Sequence, residues 1–211
     1  MIFNNFNYQY YLTSFTDTAI DCIENDNLEG IQNLLETDNT LGCKIVYKDF
    51  EPFPVYQFAL KEERDDIAYL LYMANPKAMK NTLSINTIRD ITITSDILGD
   101  AVFSRRYELV EKLLNLQGSY KFDVNGFKNT CNMLNNCYFA STYDANRKFG
   151  FGDALTYVSS PFMISILMGD VKMYELIKKH KPYFNIDNKN CKFHFDNCKK
   201  AKIKDDLLIY F

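Results

Sequence analysis

A pattern that occurs four times constrains the fold of this 211-residue chain more than any other feature of its sequence. In each occurrence, a large apolar residue or an alanine is followed three positions later by a small residue. A charged or Gly/Asn-containing break follows, and then an apolar stretch that ends on two aliphatic residues. Apolar positions at i, i+3 and i+4 predict two short helices joined by a tight turn. The four pairs are Ala19/Cys22, Tyr56/Ala59, Leu98/Ala101 and Phe162/Ser165, and the four doublets are Leu34-Leu35, Leu70-Leu71, Leu113-Leu114 and Leu176-Ile177.

A helical hairpin of this size cannot cover its own apolar face, so we expect each one to stack on a similar neighbour. The small residue is predicted to lie where the two helices of a hairpin approach most closely. The four units are centred near residues 16–37, 53–73, 96–116 and 160–180. They are expected to form one domain over residues 1–211, closed by a C-terminal capping helix over residues 189–211.

The fourth unit resembles the ankyrin repeat. Residues 160–165, Ser-Pro-Phe-Met-Ile-Ser, are similar to the Thr-Pro-Leu-His-x-Ala of that family, and Gly169-Asp170 lies at the break before the second helix. Residues 26–35 and 105–110 resemble the same frame in the first and third units. The resemblance implies an all-α, ankyrin-like α-solenoid of four to five degenerate helix–turn–helix repeats. A different α-solenoid and an unrelated helical domain are the alternatives.

The chain departs from the ankyrin pattern in two respects. The small residues are 37, 42 and 64 positions apart, whereas the ankyrin period is about 33 residues. Residues 126–158 therefore hold either a decayed repeat or an enlarged loop. Glycine is also missing from three of the four breaks, where Asp26, Glu63 and Arg105 occur instead. Those turns must reach a positive φ at some energetic cost or adopt another shape.

The stretch from Asn75 to Asp96 lengthens the second unit, and its isoleucines are ambiguous. Ile85, Ile88 and Ile91 are spaced by three, as in a helix, whereas Ile91 and Ile93 alternate with threonine, as in a strand. Among so many helical segments, a helix is the expectation.

Composition and charge exclude several classes of function. The net charge of −3 disfavours nucleic-acid binding, which depends on clustered Lys and Arg. No segment approaches the roughly 18 apolar residues of a membrane span, and the N-terminus lacks the pattern of a secretory signal. Six widely scattered cysteines favour free thiols in a reducing cytosol. We therefore expect a cytoplasmic protein that binds neither nucleic acid nor membrane.

The sequence offers little for catalysis. Cys191, His194 and Cys198 could provide three zinc ligands, but their spacing is loose, and incidental thiols in a lysine-rich cap are the favoured interpretation. No nucleophile–base arrangement is evident, so no catalytic residue, metal or cofactor is predicted. The alternatives are a small metal-dependent or effector enzyme that uses this Cys/His cluster and a scaffold for self-association. The expected oligomeric state is a monomer or weak homodimer.

The resemblance implies that function depends on shape. Ankyrin repeats bind other proteins through their turn tips and first helices and share no catalytic activity. Degenerate arrays of this kind are similar to ankyrin-like proteins of large DNA viruses, protists and intracellular bacteria, which implies binding or inhibition of a host protein, in the host cytosol. Exposed aromatic and basic side chains are the expected contacts. The predicted partner-binding residues are Tyr47, Phe50, Phe53, Lys61, Arg105, Tyr120, Lys121 and Tyr157.

Overall fold

The computed structural model describes residues 15–48, 51–88, 91–122, 156–158 and 161–180. Most of these residues are helical, as the sequence predicts, but two small sheets accompany the helices. The described residues belong to two compact units. The first contains residues up to 84 together with 117–120, and the second contains residues 85–116 together with those from 121 onward.

The first unit is built from two helical hairpins. Helix α1 (residues 15–24) and α2 (Leu28–Thr37) form one, and α3 (Val55–Lys61) and α4 (Asp65–Ala74) form the other. The second helices, α2 and α4, pack against each other. Between the hairpins lie a 3₁₀ turn (Leu41–Cys43) and the strands β1 (Ile45–Lys48) and β2 (Glu51–Pro54), and a short helix α5 (Pro76–Met79) and a 3₁₀ turn (Gly118–Tyr120) complete the unit.

The second unit combines two further hairpins with a sheet. The hairpins are α6 (Ile97–Phe103) with α7 (Tyr107–Leu114) and α8 (Pro161–Met168) with α9 (Val171–Lys178). Helix α6 packs on α8, and α7 contacts α9, so equivalent helices of the two hairpins are adjacent. The strands β3 (Ser84–Ile88), β4 (Ile91–Ser95) and β5 (Thr156–Val158) form a sheet in that order, in which β4 and β5 run parallel.

The helix expected around Ile85, Ile88, Ile91 and Ile93 is absent, and this prediction is wrong. All four residues lie in strands β3 and β4. The Ile-Thr alternation of β4 fits a strand, and β5 provides a pairing partner more than 60 positions away in the sequence, with Ile93 opposite Tyr157. Because this pairing is tertiary, the local three-residue spacing could not reveal it.

All four hairpins use the same turn. The residue four positions after the small residue has a positive φ: 54° at Asp26, 60° at Glu63, 57° at Arg105 and 65° at Gly169. The next backbone N–H donates to the carbonyl of the small residue itself, at 2.7 Å for Asn27 to Cys22, 2.8 Å for Arg64 to Ala59, 2.9 Å for Arg106 to Ala101 and 3.1 Å for Asp170 to Ser165. This six-to-one bond is that of a Schellman helix end. The sequence leaves a positive φ or another turn shape open at the three non-glycine positions, and the structure adopts the positive φ.

In the second and fourth hairpins, the turn also decides which member of the aliphatic doublet is buried, whereas both members are buried in the third hairpin and both are half-buried in the first. The position 12 residues after the small residue is Leu34, Leu71, Leu113 or Ile177. The last three are fully buried, and Leu34 is half-buried in the first hairpin. Counted from the turn, this position is the first member of the doublet in two hairpins and the second in the other two. The doublets are therefore not equivalent residue by residue, contrary to what their appearance in the sequence suggests.

A left-handed non-glycine residue stores strain that glycine relieves. We expect Glu63→Gly to raise the free energy of unfolding by about 1 kcal/mol, since a side chain at this backbone conformation costs about 1–2 kcal/mol. For a chain of this size, 1 kcal/mol is about 2–4 °C in melting temperature, measured by thermal unfolding. Gly169→Ala should have the opposite sign.

The matched control for this prediction is the adjacent Glu62, which has a φ of −80°. Glu62→Gly gains no relief of strain and increases the conformational entropy of the unfolded chain, so it should destabilise the protein. A shift of the same sign in both variants would contradict the role assigned to the turn.

Candidate binding surface

Strands β1 and β2 form a two-stranded antiparallel hairpin, here called the first finger, immediately before helix α3. Its register pairs Ile45 with Pro54, Val46 with Phe53, Tyr47 with Pro52 and Lys48 with Glu51. Because side chains alternate along a strand, Val46 and Phe53 lie on one face of the finger, and Ile45, Tyr47 and Pro52 lie on the other.

The inner face of the first finger is packed. Val46 is 2% exposed and Phe53 is 9% exposed. The ammonium group of Lys61, on α3, lies 3.4 Å from the centre of the Phe53 ring and 3.8 Å from a carboxylate oxygen of Glu51. Lys61 thus covers Phe53 from the solvent side, in a cation–π contact.

The outer face of the first finger is apolar, and it is open to solvent at Ile45, Tyr47 and Pro52, whereas Pro54 is buried. Tyr47 is 69% exposed and Ile45 is 47% exposed, the two highest values among the large hydrophobic residues that the structure describes. Pro52, opposite Tyr47, is also exposed. Single exposed apolar side chains are ordinary, but Ile45 and Tyr47 lie next to each other on the same face of one strand.

Three of the predicted partner-binding residues therefore lie on the first finger or beside it. Tyr47 is exposed as expected. The expectation that Phe53 is an exposed tip residue is wrong, because the strand register pairs it with Val46 on the packed face. Lys61 is partly exposed and engaged with Phe53 and Glu51. Phe50, between the two strands, lies outside the described residues.

Sequence reasoning missed Ile45, although a signal for it was present. In the segment Ile45-Val46-Tyr47-Lys48 the structure buries Val46 and leaves its two neighbours exposed. The expectation that binding contacts are aromatic or basic residues leaves out an exposed aliphatic residue such as Ile45. Alternation around a buried valine, followed by Pro52 and Pro54, would have indicated a hairpin with one apolar solvent face.

Arg105 lies in the turn of the third hairpin and contacts the next turn instead of standing free. Its Nε is 3.5 Å from Oδ2 of Asp170, while the Tyr107 hydroxyl donates to the same oxygen at 2.8 Å. The other oxygen of Asp170 accepts from the backbone N–H of Met173 at 3.0 Å and caps α9. Burial raises the pKa of Tyr107, and the hydrogen bond to Asp170 raises it further.

The first unit has a similar turn-to-turn contact. Arg64, in the turn of the second hairpin, donates through Nε to the carbonyl of Ile23 at 3.2 Å and through Nη2 to that of Glu24 at 3.4 Å. These carbonyls belong to the last turn of α1, and that of Ile23 also accepts from the backbone N–H of Asp26 at 3.2 Å. In both units, therefore, an arginine at the turn links successive hairpins.

The remaining predicted contacts are separate from the first finger in sequence. Tyr120 is 38% exposed in the 3₁₀ turn Gly118–Tyr120, where its carbonyl accepts from the Tyr72 hydroxyl. Lys121 follows it and is exposed. Tyr157 is the central residue of β5, and its side chain lies outside the described part. The predicted residues are thus divided between the two units, with Tyr47, Phe53, Lys61 and Tyr120 in the first and Arg105, Lys121 and Tyr157 in the second.

The described residues suggest no reactive centre. Burial raises the pKa of both described thiols, Cys22 and Cys43, which favours the protonated form at neutral pH. Among the described residues, no group of three or more His, Cys, Asp or Glu side chains could hold a metal ion. The Cys191/His194/Cys198 cluster and the predicted capping helix lie outside the described residues.

An open cleft of 390 Å³ lies between helices α7 and α9. Its walls carry three carboxylates, two ammonium groups and the Tyr107 ring, over which Lys172 lies at 4.1 Å. The mixed charge and the exposed walls are those of solvated helix faces. The charged residues are Glu108, Glu111, Glu175, Lys172 and Lys179.

In the described part of the chain, no helix is both long enough and apolar enough to cross a bilayer. Comparison of the chain with protein-family models, with curated proteins and with solved structures found no match.

Proposed function

We propose that this chain is a non-catalytic protein–protein interaction module with an ankyrin-like architecture, and that the outer face of the first finger contacts the partner. The observation that carries the proposal is the adjacency of Ile45 and Tyr47, both well exposed, on one strand of a finger whose opposite face is packed.

The repeated turn supports the ankyrin-like part of the proposal. In all four hairpins, a buried small residue lies in the last turn of the first helix and its carbonyl accepts the same six-to-one hydrogen bond, and three of the turns have a non-glycine residue at positive φ. The turn forms even where glycine, its preferred residue, is absent. This supports a common repeat in which the same packing imposes the same turn. In the described part, strands also precede the first helices of the second, third and fourth hairpins.

The chemistry of the outer face supports binding to a protein. Tyrosine combines a large contact area with a polar hydroxyl and few rotatable bonds, and it is enriched among residues that dominate binding energy. The rigid packing of Val46 and Phe53 below it limits the entropy lost on binding. The resemblance to arrays of viruses, protists and intracellular bacteria makes a host protein the first class of partner to test.

The test is capture of partners with the purified chain, followed by titration of the captured protein in purified form. We expect Tyr47→Ala to weaken the affinity at least about tenfold, since central aromatic contacts contribute about 2 kcal/mol or more. Tyr47 is mostly exposed, so the fold should be unaffected, as circular dichroism would show. The matched control is Glu36→Ala, an exposed position on α2.

Equal affinities for the wild type, Tyr47→Ala and Glu36→Ala would remove the first finger from the interface. A wild-type protein that binds no other protein, yet turns over a substrate or contains stoichiometric zinc that Cys191→Ser removes, would favour the enzyme alternative.

A further inference from the structure

The two edges of the first finger differ in their capacity to pair with another strand. Val55 N–H donates to the Lys44 carbonyl at 2.9 Å, which makes residues 44 and 55 a hydrogen-bonded pair at the end of the ladder. Because such pairs alternate in an antiparallel sheet, Val46–Phe53 and Lys48–Glu51 are also hydrogen-bonded pairs. Residues 45 and 47 of β1, and 52 and 54 of β2, therefore direct their backbone groups away from the finger.

Proline blocks one of these edges. Both outward positions of β2 are prolines, Pro52 and Pro54, which have no backbone N–H to donate. The corresponding positions of β1 are Ile45 and Tyr47, which keep their N–H groups. Proteins protect free strand edges with proline, charge or bulges because an open edge pairs with other chains. The first finger has this protection on β2 and lacks it at the outward positions of β1.

The flanking lysines of β1 do not provide the missing protection. Lys44 is paired with Asp38 at 3.1 Å, and Lys48 is paired with Glu24 on α1 at 2.5 Å. Between them, the exposed side chains on the edge strand are one aliphatic and one aromatic residue, both of which favour cross-strand contacts. An edge with free donors, apolar side chains and neutralised flanks is suited to receive a strand.

We infer that β1 binds an extended segment of a partner protein, which adds as a further strand to the first finger. This inference rests on the proposed function and specifies how the partner is recognised. Backbone hydrogen bonds to Ile45 and Tyr47 supply the pairing, and the alternate side chains of the added strand supply the selectivity.

The surroundings of β1 define the chemistry of that segment. The side chain of Lys48 lies on the inner face of the sheet, with Val46, and it reaches Glu24 of α1. Residues of the added strand that point to the same face are therefore directed toward α1. That helix exposes Asp17 and Asp21, four residues apart and so on one side of the helix. We expect Lys or Arg at these positions of the partner segment, and Val, Ile or an aromatic residue at the alternate positions, which meet Ile45 and Tyr47.

The probe is a fluorescein-labelled peptide that alternates Lys and Val, four of each, with both ends blocked. Its binding to the full-length chain is measured by fluorescence anisotropy. Ile45→Pro removes one edge donor, and the backbone before it is already suited to proline because Lys44 has φ −69° and ψ 146°. We expect this variant to bind at least tenfold more weakly than Ile45→Ala, which loses the side chain but retains the donor.

Amide hydrogen exchange measured by NMR provides a second readout. With the peptide bound, the amides of Ile45 and Tyr47 should become protected, whereas the amide of Val46, already paired with Phe53, should change little. A peptide that alternates Glu and Val should bind at least tenfold more weakly than the Lys peptide. Asp17→Asn/Asp21→Asn should reduce that difference.

Equal binding by Ile45→Pro and Ile45→Ala, absence of protection at the two amides, or no binding of the Lys peptide would each overturn strand addition at β1. A wild-type dimer that Ile45→Pro dissociates would overturn it in favour of a second copy of the chain. A further result would separate strand pairing from the proposed function. If a captured protein no longer binds Tyr47→Ala but still binds Ile45→Pro, the outer face remains the binding surface and only the strand pairing is removed.

Discussion

Leu71→Ala is expected to lower the free energy of unfolding by about 2–5 kcal/mol, the usual range for a leucine removed from a well-packed core. Leu71 is fully buried on α4 and occupies the position 12 residues after Ala59. A β-carbon on Gly42 would come within 3.2 Å of the Leu71 β-carbon, so the 3₁₀ turn packs closely on this residue. The neighbouring atoms therefore have little room to move into the cavity that Leu71→Ala would leave.

The adjacent Leu70 provides the matched control, because it is chemically identical and only half-buried. Leu70→Ala should cost about 1 kcal/mol, in proportion to the smaller apolar area that it removes from water. Urea unfolding followed by circular dichroism measures both. The pair Ile177→Ala and Leu176→Ala repeats the comparison in the second unit. Equal losses within a pair would mean that the turn does not set the register of the second helix.

Asp170→Ala is expected to cost about 2–4 kcal/mol. The variant removes the cap of α9, worth about 1 kcal/mol, and a hydrogen bond to a buried charged group from the Tyr107 hydroxyl, worth about 1.5–3 kcal/mol. Asp170 is 7% exposed at its side chain, so water cannot replace these partners without rearrangement. Asp170→Asn keeps an acceptor for the cap and should lose only about half as much. A loss below about 0.5 kcal/mol for Asp170→Ala would contradict the linking role.

A double-mutant cycle with Tyr107→Phe isolates the link between the two hairpins, and we expect a coupling of at least about 1 kcal/mol. The pKa of Tyr107 is raised by burial and by Asp170, so the folded state retains the phenol proton longer than the unfolded state. The stability that this contributes is fully present below about pH 10, the unfolded pKa, and is lost as the pH rises through the higher folded pKa. As the pH rises above 10, the free energy of unfolding of Tyr107→Phe should therefore fall less than that of the wild type.

The helical hairpins could be predicted from the sequence because their signals are local. A small residue, a break and an amphipathic second helix lie within about a dozen residues, and each part is a short-range preference of the backbone or of apolar side chains. The sequence also places the turns at Asp26, Glu63 and Arg105 but leaves their shape open, and the structure shows the positive φ.

The candidate site was less predictable, because exposure depends on strand pairing. Tyr47 and Phe53 are both aromatic residues near a turn, yet one is 69% exposed and the other 9% exposed. The difference arises because side chains alternate between the two faces of the hairpin. A register shift of one residue would exchange the exposed and the buried positions. Arg105 illustrates the same point: the sequence predicts it as an exposed contact residue, and in the structure its guanidinium also lies 3.5 Å from Asp170 in the next turn.

The sequence alone determined that this chain forms helical hairpins, where they turn and which small residue lies in the last turn of each first helix, because these features depend on interactions a few residues apart. Only the tertiary structure decided that Ile85, Ile88, Ile91 and Ile93 lie in strands, which member of the second and fourth doublets is buried and which edge of the first finger is open. Those outcomes depend on partners far away in the chain, such as β5 for β4, or on the register in which two strands pair. Local propensity has no information about either.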